Sequence, residues 1–289
     1  MSVNRVVGVD LGGTKILAGL IEDGRVLAEV ERATPTTSQE ALLDGLAAAV
    51  RELPLDGVTA VGFGIPSRVD HRHGIALGSV NTPLRDVPFE AEMHARLGLP
   101  VAVENDATCA AYAEYAHGVG RGTVDFMMLT LGTGVGGGIV TGGALYRAWT
   151  ELGHKVTVAD GEPCAGACSG RGHVEAYCSG TAANRVAREV LGPNGTARDL
   201  IEQRHPALAE IGHYLGIAIG SLINIFGPER VAIGGGFGVA AFDHLLPAAR
   251  TAVLREALAP AGQDVEIELA QLGAEAGLIG AGLVALEAV

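Results

Sequence analysis

The sequence predicts an α/β protein built from two similar units, and three observations lead there. Asp10-Leu11-Gly12-Gly13-Thr14-Lys15 lies between two apolar runs of strand length. Gly132-Thr133-Gly134-Val135-Gly136-Gly137-Gly138 lies in the same setting much further along the chain. Between them, short apolar runs alternate with stretches of helical period, the pattern of an α/β fold. The chain's 43 glycines gather at the turns joining these runs and form no low-complexity tract. The repeated hairpin implies two α/β domains facing each other across a cleft.

A chain of 289 residues, 48% of them hydrophobic, has ample core for one large domain or two ordinary ones. The net charge of −13 disfavours nonspecific binding to nucleic acid or anionic lipid. It also means that a bound polyphosphate must be held by local amides and a cation. Met1 is followed almost at once by a strand, with no basic-then-apolar leader, so no signal peptide is expected. The most apolar run, 211–226, contains Ser221, Asn224 and three glycines and reads as a buried helix that falls short of a membrane span. Four cysteines in such a chain point to reduced thiols or metal ligation, and to a cytoplasmic protein.

In chain order, the strand at 6–10 enters the first glycine turn and returns at 16–21, so that backbone amides can approach a phosphate. A third strand follows near 26–30. Ser38 caps a helix to about Leu53, with Leu42, Leu43, Leu46 and Val50 on its apolar face. The strand at 58–65 ends at Pro66. A helix near 89–97 and a strand at 101–103 then lead to Glu104-Asn105-Asp106 and a helix from about Thr108 to His117. The pattern restarts with a strand at 124–131, the second glycine turn and a strand at 139–141. Later come a strand at 230–234 ending in Gly234-Gly235-Gly236, a helix near 242–258, a strand at 265–269 and a last helix from about Ala274.

Asp10, Gly12, Gly13, Thr14 and Lys15 supply a metal-water acceptor, amide donors, a hydroxyl and a cation in six residues. A tight hairpin with a polar cap would explain a glycine pair alone; this fuller set favours phosphate. Gly132, Thr133 and Gly134 begin a match to the dinucleotide fingerprint, but 138–141 continues as a strand where that fingerprint needs a helix. A second phosphate hairpin fits better. Gly234, Gly235 and Gly236 make a strand-to-helix turn that would also let an adenine ring lie against backbone. Glu104-Asn105-Asp106 follows a strand and precedes a helix, the usual address of catalytic groups in an open α/β sheet. There Asn105 can both donate to and accept from a sugar, and Asp106 can take a proton from an attacking hydroxyl. Asp106 is also a candidate N-cap, and the two roles are compatible.

Between Glu151 and Glu175, His154, Cys164, Cys168 and His173 supply two imidazoles and two thiolates, the donor set of a tetrahedral structural zinc. Such a knot would hold the Glu151 and Glu175 carboxylates on a rigid support, as a platform for sugar hydroxyls. Cys109 and Cys178 read as buried thiols, and the remaining histidines as surface or core residues.

Together these pieces resemble the ROK family of sugar kinases, repressors and related proteins, most closely its ATP-dependent glucokinases. The matching pieces are the Asp10 and Gly132 hairpins, Gly62-Phe63-Gly64-Ile65-Pro66, Glu104-Asn105-Asp106, Glu151-Leu152-Gly153-His154, Gly172-His173-Val174-Glu175 and Ile233-Gly234-Gly235-Gly236. The resemblance covers essentially the whole chain. It implies the actin-like, ribonuclease H-like ATPase fold. Residues 1–118, joined by the C-terminal helix 274–289, would form one domain; 119–273, with the zinc segment 151–175, would form the other. It implies ATP-dependent phosphorylation of glucose at the 6-hydroxyl, with Asp106 as general base. Sugar contacts would come from Asn105, Glu151, His154 and Glu175, and also from Asn81 and Arg68. ATP phosphates and Mg2+ would sit at the two hairpins, in a homodimer or higher homo-oligomer. One departure concerns the zinc, since the family site usually reads Cys-x-Cys-Gly-x-x-Gly-Cys plus the histidine of Glu-Leu-Gly-His. Here the first pair is spread to Cys164 and Cys168, and His173 stands where the last cysteine falls. Two imidazoles and two thiolates still suit zinc.

Three alternatives remain. One is a kinase for N-acetylglucosamine, N-acetylmannosamine, mannose, fructose or allose. The second is a DNA-binding repressor, which in this family carries a winged helix before the first strand, where this sequence has only a few residues. The third is a sugar sensor without catalysis, against which the retained Asp106 argues.

Overall fold

A computed structural model describes residues 5–79, 81–164 and 168–289. The chain divides into two compact units, the first made from Met1–His117, Arg147–Trp149 and Ala274–Val289, the second from Gly118–Tyr146 and Thr150–Gly273. Three residues of the expected zinc segment, 165–167, lie outside the described set.

In the first unit, β1 (Arg5–Leu11), β2 (Lys15–Glu22) and β3 (Arg25–Ala33) form an antiparallel meander, and α1 (Gln39–Arg51) follows. The Ser38 side chain caps α1 by accepting from the Ala41 amide at 3.1 Å. β4 (Val58–Ile65) lies parallel to β1. Next comes a small antiparallel sheet of β5 (Arg68–Asp70), β6 (Ile75–Gly78) and β7 (Arg85–Val87). It is absent from the sequence reading because its three- and four-residue strands carry too little apolar alternation. α2 (Phe89–Leu97), β8 (Val101–Asn105) and α3 (Asp106–His117) complete this stretch, giving the sheet order β3-β2-β1-β4-β8. α3 begins at Asp106, two residues earlier than the sequence suggests.

The second unit repeats this plan. β9 (Phe126–Leu131) and β10 (Val135–Thr141) form the antiparallel hairpin, extended by β11 (Ala144–Leu145). Helices α4 (Glu175–Cys178), α5 (Gly180–Leu191), α6 (Ala197–Glu202) and α7 (Ala207–Phe226) lead to β12 (Arg230–Gly234). α8 (Gly236–Glu256), α9 (Ala261–Asp264) and β13 (Glu266–Leu269) follow. The sheet order is β11-β10-β9-β12-β13, with β12 parallel to both β9 and β13. Each sheet is thus an antiparallel hairpin continued by two parallel strands. α8 starts at Gly236, well before the expected residue 242, because two glycines in its first turn mask the helical signal. α7 is 20 residues long with a mean hydropathy of 1.3, long and apolar enough to cross a membrane, contrary to the sequence expectation. It is a core helix here: 56% of its most apolar window is buried, and Gly212 and Gly216 let its backbone approach Leu245 and Ala249 of α8.

The last helix, α10 (Ala276–Leu286), belongs to the first unit and packs on β1, β4 and α3. Gly8 and Gly62 stand side by side in the paired strands, and a Cβ on either would collide with α10 backbone at Leu278 and Ala281. From the helix side, Gly280 meets the backbone of Cys109 in the same way. This glycine seam brings a helix against a sheet more closely than side chains permit. It also fixes the carboxyl ends of β1 and β8, where Asp10 and Asp106 lie.

Candidate active site and metal centre

In the first unit, the turn from β8 into α3 separates two functions that the sequence left merged. Asn105 caps the helix: its Oδ1 accepts from the amides of Ala107 at 3.0 Å and Thr108 at 3.1 Å. Its Nδ2 donates to the Ser67 carbonyl at a long 3.4 Å. Asp106 is therefore not needed as the cap. Its Oδ1 accepts from the Ala107 amide at 2.8 Å, and burial raises its pKa above the ordinary carboxylate value despite the backbone hydrogen bonds that lower it. Asp10, ending β1, is pushed up to about 6, chiefly by burial and then by repulsion from Asp106, with Lys15 opposing. Two buried carboxylates, one of them raised further by the charge of the other, suit a proton or a hydrated divalent cation.

The first glycine turn is closed by Gly12 N donating to Lys15 O at 2.8 Å and by Thr34 Oγ1 donating to Gly12 O at 2.8 Å. Gly13 and Thr14 are exposed, and Asn81 lies beside Gly13. Lys15 is exposed and paired with Glu31 on β3 at 2.9 Å, which raises its pKa. Arg68 stacks over Trp149, its guanidinium carbon 5.0 Å from the ring centroid.

Sequence reasoning missed one group here. Glu104, only 2% exposed, receives His71 Nε2 at 2.8 and 2.9 Å and the Asn105 amide at 2.8 Å. Arg147 Nε stands 4.0 Å from it and Arg147 Nη2 is 2.6 Å from Glu287. The partners lie too far apart in the chain for spacing to reveal them. The only signal was a glutamate ending an otherwise apolar strand.

In the second unit, short bridges Val156↔His173 and Pro163↔Arg171 fold the segment after β11 back on itself. They gather His154, at the end of a 3₁₀ turn Leu152–His154, with Cys164, Cys168 and His173. The four ligand atoms all lie within 4.8 Å of one another. His154 Nδ1 is 3.1 Å from His173 Nδ1 and 3.6 Å from Cys164 Sγ, and Cys168 Sγ is 3.7 Å from His173 Nδ1. Zinc bonds of about 2.0–2.3 Å in a tetrahedron require ligand separations of about 3.3–3.8 Å, so the donor set fits zinc in chemistry, and its two Cys–His separations of 3.6 and 3.7 Å fit in spacing. Burial first, then Cys168 and Glu175, pushes the Cys164 thiol up to about 12, so a cation is needed to hold it as thiolate. With Nδ1 turned into the cluster, His154 retains Nε2 for another partner.

Glu175, at the start of α4, links this knot to the second glycine turn. Its Oε2 accepts from the Val135 amide at 2.9 Å, and its Oε1 lies 3.7 Å from Cys164 Sγ. Gly134 faces that carboxylate, where a Cβ would collide with Oε2. Glu151 precedes the 3₁₀ turn and is exposed. Cys109 and Cys178 are fully buried and their thiols are raised by burial.

Beside the second turn is a cavity of ≈ 660 Å³ lined by Gly132, Thr133, Gly180, Thr181, Asn184, Ala197, Arg198, Ile201, Glu202, Gly236, Phe237 and Ala240. The N-termini of α5 and α8 open onto it at Gly180 and Gly236, where the helix dipole favours anions; the Gly180 amide itself donates to the Gly132 carbonyl at 2.7 Å. Of the three glycines at 234–236, only Gly236 lines this space. Gly234 packs on Met128, and Gly235, at φ 77°, lies against Leu131.

Two mixed sheets of one topology, with a carboxylate pair in one unit and an anion-binding cavity in the other, define a phosphotransferase of the hexokinase type on the actin-like fold. The ROK family profile matches residues 6–288, and the chain belongs to that family. Glucokinase of Streptomyces coelicolor is 34% identical, over 97% of this chain and 97% of its own. The ROK hexokinase of Thermus thermophilus superposes with a TM-score of 0.86 at 33% identity, covering 98% of each chain. The ROK family glucokinase of Streptomyces griseus, in complex with glucose and AMPPNP, gives a TM-score of 0.82 at 34% identity, covering 98% of this chain and 100% of that one.

Proposed function

We propose that the protein phosphorylates glucose at the 6-hydroxyl with ATP, giving glucose 6-phosphate and ADP. The observation that carries this reading is the division of labour at the β8–α3 turn: Asn105 caps the helix, and the buried Asp106 carboxylate is left for chemistry. Asp106 takes the proton of the attacking hydroxyl as its oxygen bonds to the γ-phosphorus, and the bond from that phosphorus to the ADP oxygen breaks. Phosphoryl transfer asks mainly for positioning and charge neutralisation, and the remaining residues supply these.

The sugar's hydroxyls are met by Glu151, Glu175, Asn105 and the Nε2 edge of His154, with Asn81 and Arg68 as further contacts. The nucleotide lies in the 660 Å³ cavity, its base near Gly236 and its phosphates toward Gly132 and Thr133. Gly134 shapes that turn, while Gly234 and Gly235 seat it. The first hairpin, with Asp10, Gly12, Gly13, Thr14 and Lys15, serves the terminal phosphates. Lys15 must leave Glu31 to do so, an exchange that an exposed ion pair permits at little cost. Magnesium, when bound near Asp10 and Asp106, supplies charge neutralisation at the phosphates. Zinc at His154, Cys164, Cys168 and His173 supplies a rigid cross-link beneath Glu175. A cytoplasmic homo-oligomer is part of this reading, since the four thiols are free and ATP is the donor.

The test is a coupled ADP-release assay across hexoses. The loop between β5 and β6 carries His71, Arg72 and His73 beside Asp70, polar groups that suit hydroxyls better than an acetamido methyl group. Glucose should therefore exceed N-acetylglucosamine and N-acetylmannosamine in kcat/KM, with some activity on mannose. Asp106→Asn should lower kcat by about two orders of magnitude or more while glucose still binds. A higher efficiency on an acetamido sugar would overturn the substrate, and near-normal turnover of Asp106→Asn would overturn the base.

A further inference from the structure

Every sugar contact named so far is polar. A pyranose also presents flat faces of C–H groups, and these need an apolar or aromatic partner. Trp149 is the chain's one tryptophan and is 64% exposed, unusual for the largest apolar side chain. It is not loosely displayed. The segment Arg147–Trp149 belongs to the first unit, although its neighbours on both sides belong to the second. Arg147 ties it to Glu104 and Glu287, and Arg68 covers one face of the indole at 5.0 Å. Much of the ring is left open to solvent.

Two connections tie the segment that holds the ring to the proposed site. Ser67, the neighbour of Arg68, accepts from Asn105 Nδ2, and Asn105 adjoins Asp106. On the other side, Trp149 is two residues before Glu151, which spans at most about 7 Å of chain. The indole is thus linked, through Arg68 and Ser67, to the turn that carries the proposed base.

We propose that Trp149 is a sugar-contact residue of the first unit: its exposed ring stacks on the C–H face of the hexose whose hydroxyl meets Asn105 and Asp106. Arg68 is the positioning residue that holds the ring plane from behind. This rests on the sugar-kinase reading above and deepens it. Edge and face packing of this kind is sequence-silent, because a lone tryptophan in a polar stretch carries no spacing to read.

Glucose is titrated into the full-length protein without nucleotide while the emission of the single tryptophan is followed. Kinetics are then measured on Trp149→Ala and Trp149→Phe, with sedimentation velocity on the parent and both variants. The expected result is a saturable change in emission, with a KM for glucose raised about tenfold in Trp149→Ala and largely restored in Trp149→Phe. The kcat and the KM for ATP should stay within about twofold of the parent, since stacking acts equally on bound sugar and transition state. An unchanged KM for glucose in Trp149→Ala overturns the proposal, even if emission responds, since the ring would then merely move with binding. An altered sedimentation coefficient with unchanged KM overturns it in favour of a subunit contact. A parent that phosphorylates no hexose removes the kinase reading and this inference with it, an outcome distinct from an active parent indifferent to residue 149.

Discussion

Replacing a helical glycine by alanine ordinarily stabilises a helix by about 1 kcal/mol. α10 offers two such positions whose surroundings should give opposite outcomes. A Cβ at Gly280 would collide with the carbonyl oxygen of Cys109 in α3 and lie 2.8 Å from that residue's Cα, where carbon atoms need about 3.5–4.0 Å. Backbone inside a helix cannot step aside, so α10 must lift by roughly 1 Å along its length, opening the seam over Gly8 and Gly62. Overpacking of this kind typically costs about 1–3 kcal/mol, and more where both partners are backbone. Net of the propensity gain, Gly280→Ala should lose about 2 kcal/mol, lowering Tm by roughly 4–8 °C. A Cβ at Gly277 meets instead the Asp10 carboxylate, 2.7 Å from Oδ2 and 2.8 Å from Cγ. A short side chain can rotate away, so Gly277→Ala should leave Tm within about 2 °C of the parent. Its cost should fall on activity, as Asp10 is displaced. Calorimetry and the ADP assay on both variants make the comparison. A Gly280→Ala protein more stable than the parent would refute the seating of α10 against α3. Full activity in Gly277→Ala would refute a working role for Asp10 as oriented here.

The acid limb of kcat/KM for glucose should lie above the ordinary aspartate value of 3.8 and extend toward about 6. The sign follows from burial: both folded-state pKa values are raised, so protons return to Asp106 and Asp10 at a higher pH than to free carboxylates, and the ionised base is lost earlier as pH falls. A limb at or below 3.8 in the pH–rate profile would contradict the burial of both groups. Elemental analysis should find about one zinc per chain. Its removal by a chelator should raise the KM for glucose more than that for ATP, because Glu175 lies against Cys164 of the knot while the cavity is reached from it only through the second glycine turn. Full activity in a metal-free preparation would dismiss the cluster as a structural element.

Much of this was legible in the sequence because it is local. The two glycine hairpins announce themselves by composition, Ser38 and the spacing of Leu42, Leu43, Leu46 and Val50 define a helix, and the four zinc donors fall within one short segment. What escaped depends on pairing at a distance or on weak local signal. Asn105 and Asp106 are both good caps by type, and only the dihedral turn of the backbone decides that Asn105 takes the role. Glu104 and His71 are thirty-three residues apart, and nothing in either neighbourhood names the other. The small sheet of β5, β6 and β7 has strands too short to show a period. The first turn of α8 is built from residues that disfavour helices, and so the sequence hides its start. In the run 234–236, identical residues have different tasks: packing on a methionine, turning the chain and lining a cavity.

The discontinuous makeup of the first unit has a consequence for how the protein is made. Val6, Ile21 and Ala60 on the sheet share an apolar cluster with Leu278 and Ala285 of α10. Those two partners are synthesised only after the whole of the second unit. Domains tend to fold as they emerge, at about 5–20 residues per second. Here the order is reversed: the second unit can close on its own, while the first waits more than ten seconds with its glycine-lined sheet face bare, at roughly that rate. The strands that carry Asp10 and Asp106 are therefore translated before the second unit but receive their covering helix only after it.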